Sequence, residues 1–283
     1  MPAAILSRCL SVPDQGTGRA KTIELEFLGG EPTGSRVKPD VVAPGTDIVS
    51  ARSVLAPDRR FWAIHETNPK YTYMGGTSMA TPLVAGCGVL VREYYQRLRG
   101  FEPSAALLKA TIVNGTTWLK GQGAVADREI IANYHQGFGR VDMASTLPGA
   151  PGSDLQLAFS DSWKPEQKAL WLRTGSTARF LLKLEGGHPL RVCLTWTDPP
   201  GPGLQNVLGL CMEHQTLARR WYGNQDINRP VERFDRDNNV QIVRLPDAPA
   251  GDYVISVVAQ NLLRPGQDFL PEEVSGCRSG LHA

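Results

Sequence analysis

Ser78 stands where a glycine-rich run meets an apolar, helix-periodic segment, Met74-Gly-Gly-Thr-Ser-Met-Ala-Thr-Pro-Leu-Val-Ala-Gly86. A hydroxyl so placed can serve as a nucleophile. Gly75 and Gly76 let backbone and substrate approach closely, and the Thr77 backbone leads into the first turn. A helix N-terminus there offers free N–H groups and the positive end of its dipole to an oxyanion. The same residue types also describe an ordinary N-cap serine. On residue type and position alone, the N-cap reading is the commoner of the two.

A serine nucleophile needs a base to take its proton and a carboxylate to orient that base. Before Ser78 the only histidine is His65, thirteen residues upstream in the loop-like stretch Ile64-His-Glu-Thr-Asn-Pro69. It reads as a surface loop residue. Asp40 and Asp47 belong to strand-like segments and read as structural.

A second set of donors is oxygen-rich. Asp235-Arg-Asp-Asn-Asn239 places side-chain oxygens at alternating positions, and with Asp198 it gives a candidate calcium-type site of Asp198, Asp235, Asp237 and Asn238. The same run equally describes a solvated polar turn. His135, His188, His214 and His282 share no metal-ligand spacing and read as surface residues. Five cysteines are far apart and lack a CxxC pair, which argues against a zinc site or a dense disulfide framework while leaving a Cys193–Cys211 bridge open. The six tryptophans are scattered and read as core or interface residues, not as a sugar platform.

The elements that must position Ser78 can be read from periodicity. Val41-Val42-Ala43 and Asp47-Ile48-Val49, broken by Pro44 and Gly45, suit buried strands around a tight turn, and Tyr71–Met74 suits a strand entering the serine turn. From Met79 the apolar residues Leu83, Val84, Cys87, Leu90, Val91, Tyr94 and Leu98 recur at helical spacing, with Pro82 expected in the first turn. Gly86 and Gly88 predict a close neighbour for that helix. A second helix is predicted from Pro103 to Asn114-Gly115.

Beyond the Pro/Gly-rich stretch Leu147–Asp154 the pattern changes. Ala178–Leu184, Leu190–Thr197, Asn239–Leu245 and Tyr253–Ala259 are β-branched, aromatic and bounded by turn residues, as in an antiparallel sandwich. The 283 residues, 41% hydrophobic and 20% charged, can bury a sizeable core in one or two domains. The net charge of +2 gives no field that argues for nucleic acid. No apolar run is long enough for a membrane span. Met1–Val12 shows no secretory signal.

Gly76-Thr-Ser-Met-Ala-Thr-Pro82 with Val84-Ala-Gly86 resembles the serine motif of the subtilisin-like serine peptidases, the subtilases. Arg36-Val-Lys-Pro-Asp-Val-Val-Ala-Pro-Gly45 looks like that family's strand before the serine, and Gly137-Phe-Gly-Arg-Val-Asp142 like its closing segment. The resemblance continues in Val49-Ser-Ala-Arg-Ser, Ala56-Pro-Asp, Phe61-Trp62 and Tyr73-Met74. It extends through Leu194–Pro200, Tyr222-Gly-Asn224, Asp235–Val240 and Ala250–Val257, which look like an alkaline subtilase group with a C-terminal β-sandwich.

That resemblance covers about residues 26 to 268 and implies a fold class: α/β, a partial subtilisin-like parallel sheet with helices, then an all-β jelly-roll-like sandwich. It divides the chain into an unassigned segment 1–25, the C-terminal half of a subtilase catalytic domain at 26–148, a β-sandwich at 149–276 and a tail at 277–283. It implies a serine endopeptidase acting on protein or peptide substrates, extracellular or at the cell surface, with Ser78 as nucleophile and no cofactor required for the chemistry. Structural calcium is common in such subtilases, although the Asp-rich turn usual in the sandwich appears as Asn206-Val-Leu-Gly209.

The departures are as informative. In the family the triad order is Asp, His, Ser, and the histidine opens a helix far upstream of the serine. No residue here matches that Asp, that His or the family's side-chain oxyanion Asn. The chain therefore reads as lacking the N-terminal half of the catalytic domain and inactive alone. A parallel sheet cut at its centre should leave apolar surface on Val41–Val42 and on the serine helix, with residues 1–148 loose and the part beyond 150 stable. Asp268–Gly276 should be a frayed edge. The competing reading is a non-catalytic protease remnant whose β-sandwich binds a protein partner.

Overall fold

A computed structural model describes residues 3–9, 36–56, 63–120, 132–149, 154–162, 172–201, 203–228 and 231–263. Strands β1 (Ala3–Cys9), β4 (Gln156–Asp161), β6 (His188–Trp196) and β9 (Val240–Ala248) form one sheet in the order β4-β1-β6-β9. Strands β5 (Thr177–Leu184), β7 (Val207–His214), β8 (Arg219–Tyr222) and β10 (Gly251–Asn261) form another in the order β5-β10-β7-β8. Every pairing in both sheets is antiparallel.

Period-two alternation builds the core between them. Leu190, Val192, Leu194 and Trp196 of β6 and Val243 and Leu245 of β9 meet Leu208, Leu210 and Met212 of β7 and Tyr253, Ile255 and Val257 of β10 in one buried cluster. The opposite face of the first sheet is buried too. Leu157, Cys193, Val240 and Ile242 pack with Val91, Tyr95, Leu107, Ala110, Val113 and Phe138. The helical part and the sheets therefore share a core, and nothing in this packing divides a loose first half from a stable second half. Trp196 and Trp221 lie in the inter-sheet core, as read. Trp62, Trp163 and Trp171 lie outside the described residues.

Helix α1 (Thr77–Glu93) runs into a π-helical turn at Tyr94–Leu98. Helix α2 (Ala105–Asn114) is capped by Ser104, whose Oγ accepts the Leu107 N–H at 3.0 Å, and it ends at Gly115. Ahead of α1, β2 (Ile48–Ala51) and β3 (Tyr71–Met74) form a short antiparallel pair.

Several expectations are corrected. Among the described residues there is no parallel sheet; the one parallel pairing is the bridge Val42–Arg140. The N-terminal segment without an assignment supplies β1, paired on both sides in the middle of the first sheet. Asn206–Gly209 is not a turn, because Val207–Gly209 opens β7. Cys193 and Cys211 are not bridged: Cys193 faces the helices, whereas Cys211 alternates with the inward Leu210 and Met212 and so faces away from both. His214 is buried, with Nε2 bonded to the Ala250 carbonyl at 2.9 Å and Nδ1 accepting the Leu217 N–H at 3.2 Å. Asp268–Gly276 and His282 lie outside the described residues.

Candidate active site

Two glycines shape the approach to Ser78. Gly76 is the N-cap of α1 at φ 136°, a conformation that a side chain would strain. Its N–H donates to the Gly45 carbonyl at 2.7 Å, and its own carbonyl accepts the Met79 N–H at 3.0 Å. A Cβ on Gly45 would lie 2.9 Å from the Gly76 carbonyl oxygen, so Gly45 must also lack one. The Pro44-Gly45 turn thus clamps the entry to α1, with Gly75 joining β3 to it.

Ser78 is the second residue of α1 and exposed. Its Oγ makes no hydrogen bond among the described residues. A glycine N-cap brings no side chain to the N–H groups of the first turn, and that turn holds no acidic residue. The Thr77 and Ser78 amides, ahead of the Met79 N–H that bonds the Gly76 carbonyl, therefore remain available to an anion, with the dipole in its favour. Pro82 lies deeper than expected, as the sixth helical residue, where its missing N–H withdraws the i+4 donor from the Ser78 carbonyl.

The residues weighed as catalytic partners are occupied elsewhere. The His65 ring stacks on Tyr73 at 5.7 Å and 12°, and its Nδ1 lies 3.4 Å from the Thr67 N–H nitrogen and 3.3 Å from Thr67 Oγ1. It makes no hydrogen bond to Ser78 among the described residues. Asp40 pairs with Lys38 at 2.6 Å and Lys109 at 3.2 Å. Burial raises its pKa, but the two ammonium groups outweigh burial and hold the carboxyl below its ordinary value. Asp47 sits in the turn before β2 with φ 55°.

The oxygen donors do not assemble as a ligand set. Asp198 accepts N–H groups of Arg36 (2.9 Å), Gln205 (2.9 Å) and Asn206 (2.8 and 3.0 Å). Asp235 accepts from Asp237 N, Asn238 N, Asn238 Nδ2 and Asn224 Nδ2. Asn238 Oδ1 takes the Val37 N–H at 2.7 Å. Among the described residues no group of three or more His, Cys, Asp or Glu gathers as for a metal. These side chains organise turns and bind the 36–37 segment.

Apolar residues of β3 and α1 are exposed. Met74, Leu83, Val89 and Leu90 are exposed by 40%, 40%, 65% and 51%, in line with the expected bare helix face. Of the two glycines that suggested a close neighbour for the helix, Gly86 meets nothing within 4 Å, whereas a Cβ on Gly88 would lie 4.0 Å from Ile112 Cδ1 of α2.

Residues 26–139 match the model of the subtilase family, and Ser78 with its glycine turn lies inside the matched segment. This segment is subtilisin-like. Similar proteins agree with it. The serine protease/ABC transporter B family protein tagA of Dictyostelium discoideum is 28% identical over 272 residues, covering 86% of this chain and 15% of its own length. The subtilisin-like protease SBT4.12 of Arabidopsis thaliana is 35% identical over 117 residues, 40% of this chain and 14% of its own. Serine protease AprX of Bacillus subtilis is 32% identical over 112 residues, 40% of this chain and 22% of its own. The chain thus spans less than a quarter of the length of each of these relatives. The match to tagA runs well beyond the subtilase segment.

Sequence reading singled out Ser78 and its glycine turn but not the role of Gly45 or the Arg36–Asp198 pair. The Pro44-Gly45 dipeptide was a signal for the first. Nothing local signals the second, whose members are 162 positions apart.

Proposed function

We propose that this chain carries the nucleophile of a subtilisin-like serine endopeptidase, with Ser78 as the attacking hydroxyl and the Gly75-Gly76-Thr77 backbone as the surface along which substrate lies. The observation that carries this reading is the exposed Ser78 at a helix N-terminus whose N-cap is a glycine and whose first turn has no acidic residue. On this reading Oγ gives its proton to a base and adds to a peptide carbonyl, the resulting oxyanion is met by the Thr77 and Ser78 N–H groups, and the base returns the proton to the leaving amine. The adduct then expels the amine to leave an acyl-enzyme, which water hydrolyses. The reaction needs no cofactor.

We place the base and its orienting carboxylate outside this chain, because His65 is held by Tyr73 and Thr67 and Asp40 by two lysines. The chain alone then lacks peptidase activity. Residues 26–148 are read as part of a subtilase catalytic domain and 149–276 as its jelly-roll-like sandwich, in a protein acting on proteins or peptides outside the cell or at its surface. Among the described residues no helix is long and apolar enough to cross a membrane.

Two measurements test this. Turnover of a generic peptide by the purified chain should equal that of Ser78→Ala; turnover that depends on Ser78 would place the base within the chain. A fluorophosphonate probe applied to the source organism should label the Ser78 peptide in a species well above 30.8 kDa. Detection of that peptide only unlabelled, at 30.8 kDa, would favour the non-catalytic binding module instead.

A further inference from the structure

We propose that Arg36 and Asp198 are positioning residues through which the C-terminal sheets hold the serine turn in place. Asp198 lies just past β6 with its side chain only 1% exposed, and its carboxylate accepts N–H groups from Gln205 and Asn206 as well as from Arg36. The Arg36 Nη2 that meets Asp198 Oδ2 at 2.9 Å also donates to the Gly203 carbonyl at 2.8 Å. One residue on, the Val37 N–H donates to Asn238 Oδ1, and Asn238 is itself fixed by Asp235. The start of the 36–45 segment is therefore tied to two loops of the sheet unit.

From there the segment is stitched along its length. The Phe138 N–H donates to the Asp40 carbonyl at 2.9 Å, Val42 N–H to Gly139 at 3.1 Å and Val141 N–H to Val42 at 3.0 Å. A Cβ on Gly137 would lie 2.0 Å from the Pro39 carbonyl oxygen, so the two segments touch without slack. The segment ends at Gly45, whose carbonyl takes the Gly76 N–H. Nine positions thus separate Arg36, paired with the buried Asp198, from Gly45, whose carbonyl holds the N-cap of the serine helix, with a tether at nearly every second position. A displacement at Arg36 has little chain in which to dissipate before it reaches Gly76.

That this coupling serves peptide-bond chemistry rests on Ser78 being the nucleophile. The test does not use the hydroxyl, so the two readings fail separately. Amide hydrogen exchange is measured on the full chain, comparing Gly76 with the amides of β10. Arg36→Ala should speed Gly76 exchange about tenfold or more, as expected for loss of a charge-assisted bond, and leave β10 protected. Arg36→Lys, which keeps a cation and donors for Asp198 and Gly203, should restore most of the protection. Gly137→Ala, which forces the 39–40 backbone to shift with Arg36 intact, should reproduce the acceleration. An unchanged Gly76 rate in Arg36→Ala, or a loss spread equally over β10, would overturn the proposal. Asn238→Ala reports on the same tether through Val37, and the same two outcomes decide it if Arg36→Ala does not fold.

Discussion

Arg191 and Arg244 lie directly opposite one another on β6 and β9, and both turn their guanidinium groups to the end of α2. Arg191 Nη1 donates to the Asn114 and Thr116 carbonyls at 3.1 and 2.9 Å, and Arg244 Nη2 to Thr116 Oγ1 and the Phe138 carbonyl at 2.8 Å each. Like charges facing each other across a ladder normally repel. Here carbonyls at a helix C-terminus, where the dipole is negative, supply the compensation. Truncating Arg191 removes its bonds to the Asn114 and Thr116 carbonyls, and truncating Arg244 those to Thr116 Oγ1 and the Phe138 carbonyl, just past the end of α2. Arg244→Met and Arg191→Met are each expected to lower unfolding free energy by about 1.5–3 kcal/mol, read from urea midpoints at unchanged slope. A loss below a few tenths for both would mean that the pair is ornamental.

The shared core on the helix side makes a sharper demand. Leu107 of α2 is fully buried with Cys193, Val240 and Ile242 of the first sheet. If the helices were a loose appendage, Leu107→Ala would unfold them and leave the sheets unaffected. The packing instead predicts a loss of roughly 2–5 kcal/mol that weakens amide protection in β6 and β9 as well as in α2. Separate transitions for helix and sheet probes would contradict it.

What the sequence disclosed follows from the range of each interaction. The serine turn, α1, α2 and the strands β5, β6, β9 and β10 are set by local periodicity and turn residues, and they were legible. β1 was not, because its partners β4 and β6 lie some 150 residues or more downstream and a seven-residue strand carries no record of its partners. Asp198 and Asp235 suggested a cation because a sequence displays carboxylates but not the N–H groups that will saturate them. The buried His214 was hidden for the same reason: its acceptor at Ala250 is 36 positions away. Pro82 was misplaced by one turn because helix starts are the least local feature of a helix that begins on glycine.

The central place of β1 yields a test by backbone alone. Leu6 stands opposite Phe159 on β4 and Cys193 on β6, so its peptide lies between two ladders. Proline there removes a donor and forces the ring into an interior strand, where no edge can absorb it. Leu6→Pro is expected to cost about 3 kcal/mol or more, seen as a lower melting temperature and loss of amide protection in β6. A neutral outcome would show that β1 does not complete the sheet in solution.

Thiol chemistry separates the cysteines by environment. Burial pushes the Cys193 thiol up to about 12 and the Cys211 thiol up to about 11, and also raises Cys87. Cys193 has no exposure at all, whereas Cys87 and Cys211 are partly exposed. Iodoacetamide at pH 8, mapped by peptide mass, should label Cys87 and Cys211 slowly and reach Cys193 only after denaturant is added. A 193–211 disulfide peptide under non-reducing conditions would refute the outward-facing arrangement of the two strands.

Acid dependence should report on Asp40. Its carboxyl titrates below the ordinary value of 3.8, since Lys109 and Lys38 outweigh the effect of burial. The unfolded state therefore binds the proton more readily, and stability from this group is present above about pH 4 and lost as pH falls through the folded value. The side chain is 26% exposed, and solvent screening keeps the contribution small. Asp40→Asn should lower stability at pH 7 by a few tenths to about 1 kcal/mol, and the gap to the parent should close as pH drops below 3.8. A gap that widens on acidification would mean that the lysines, not the carboxylate, set the local balance.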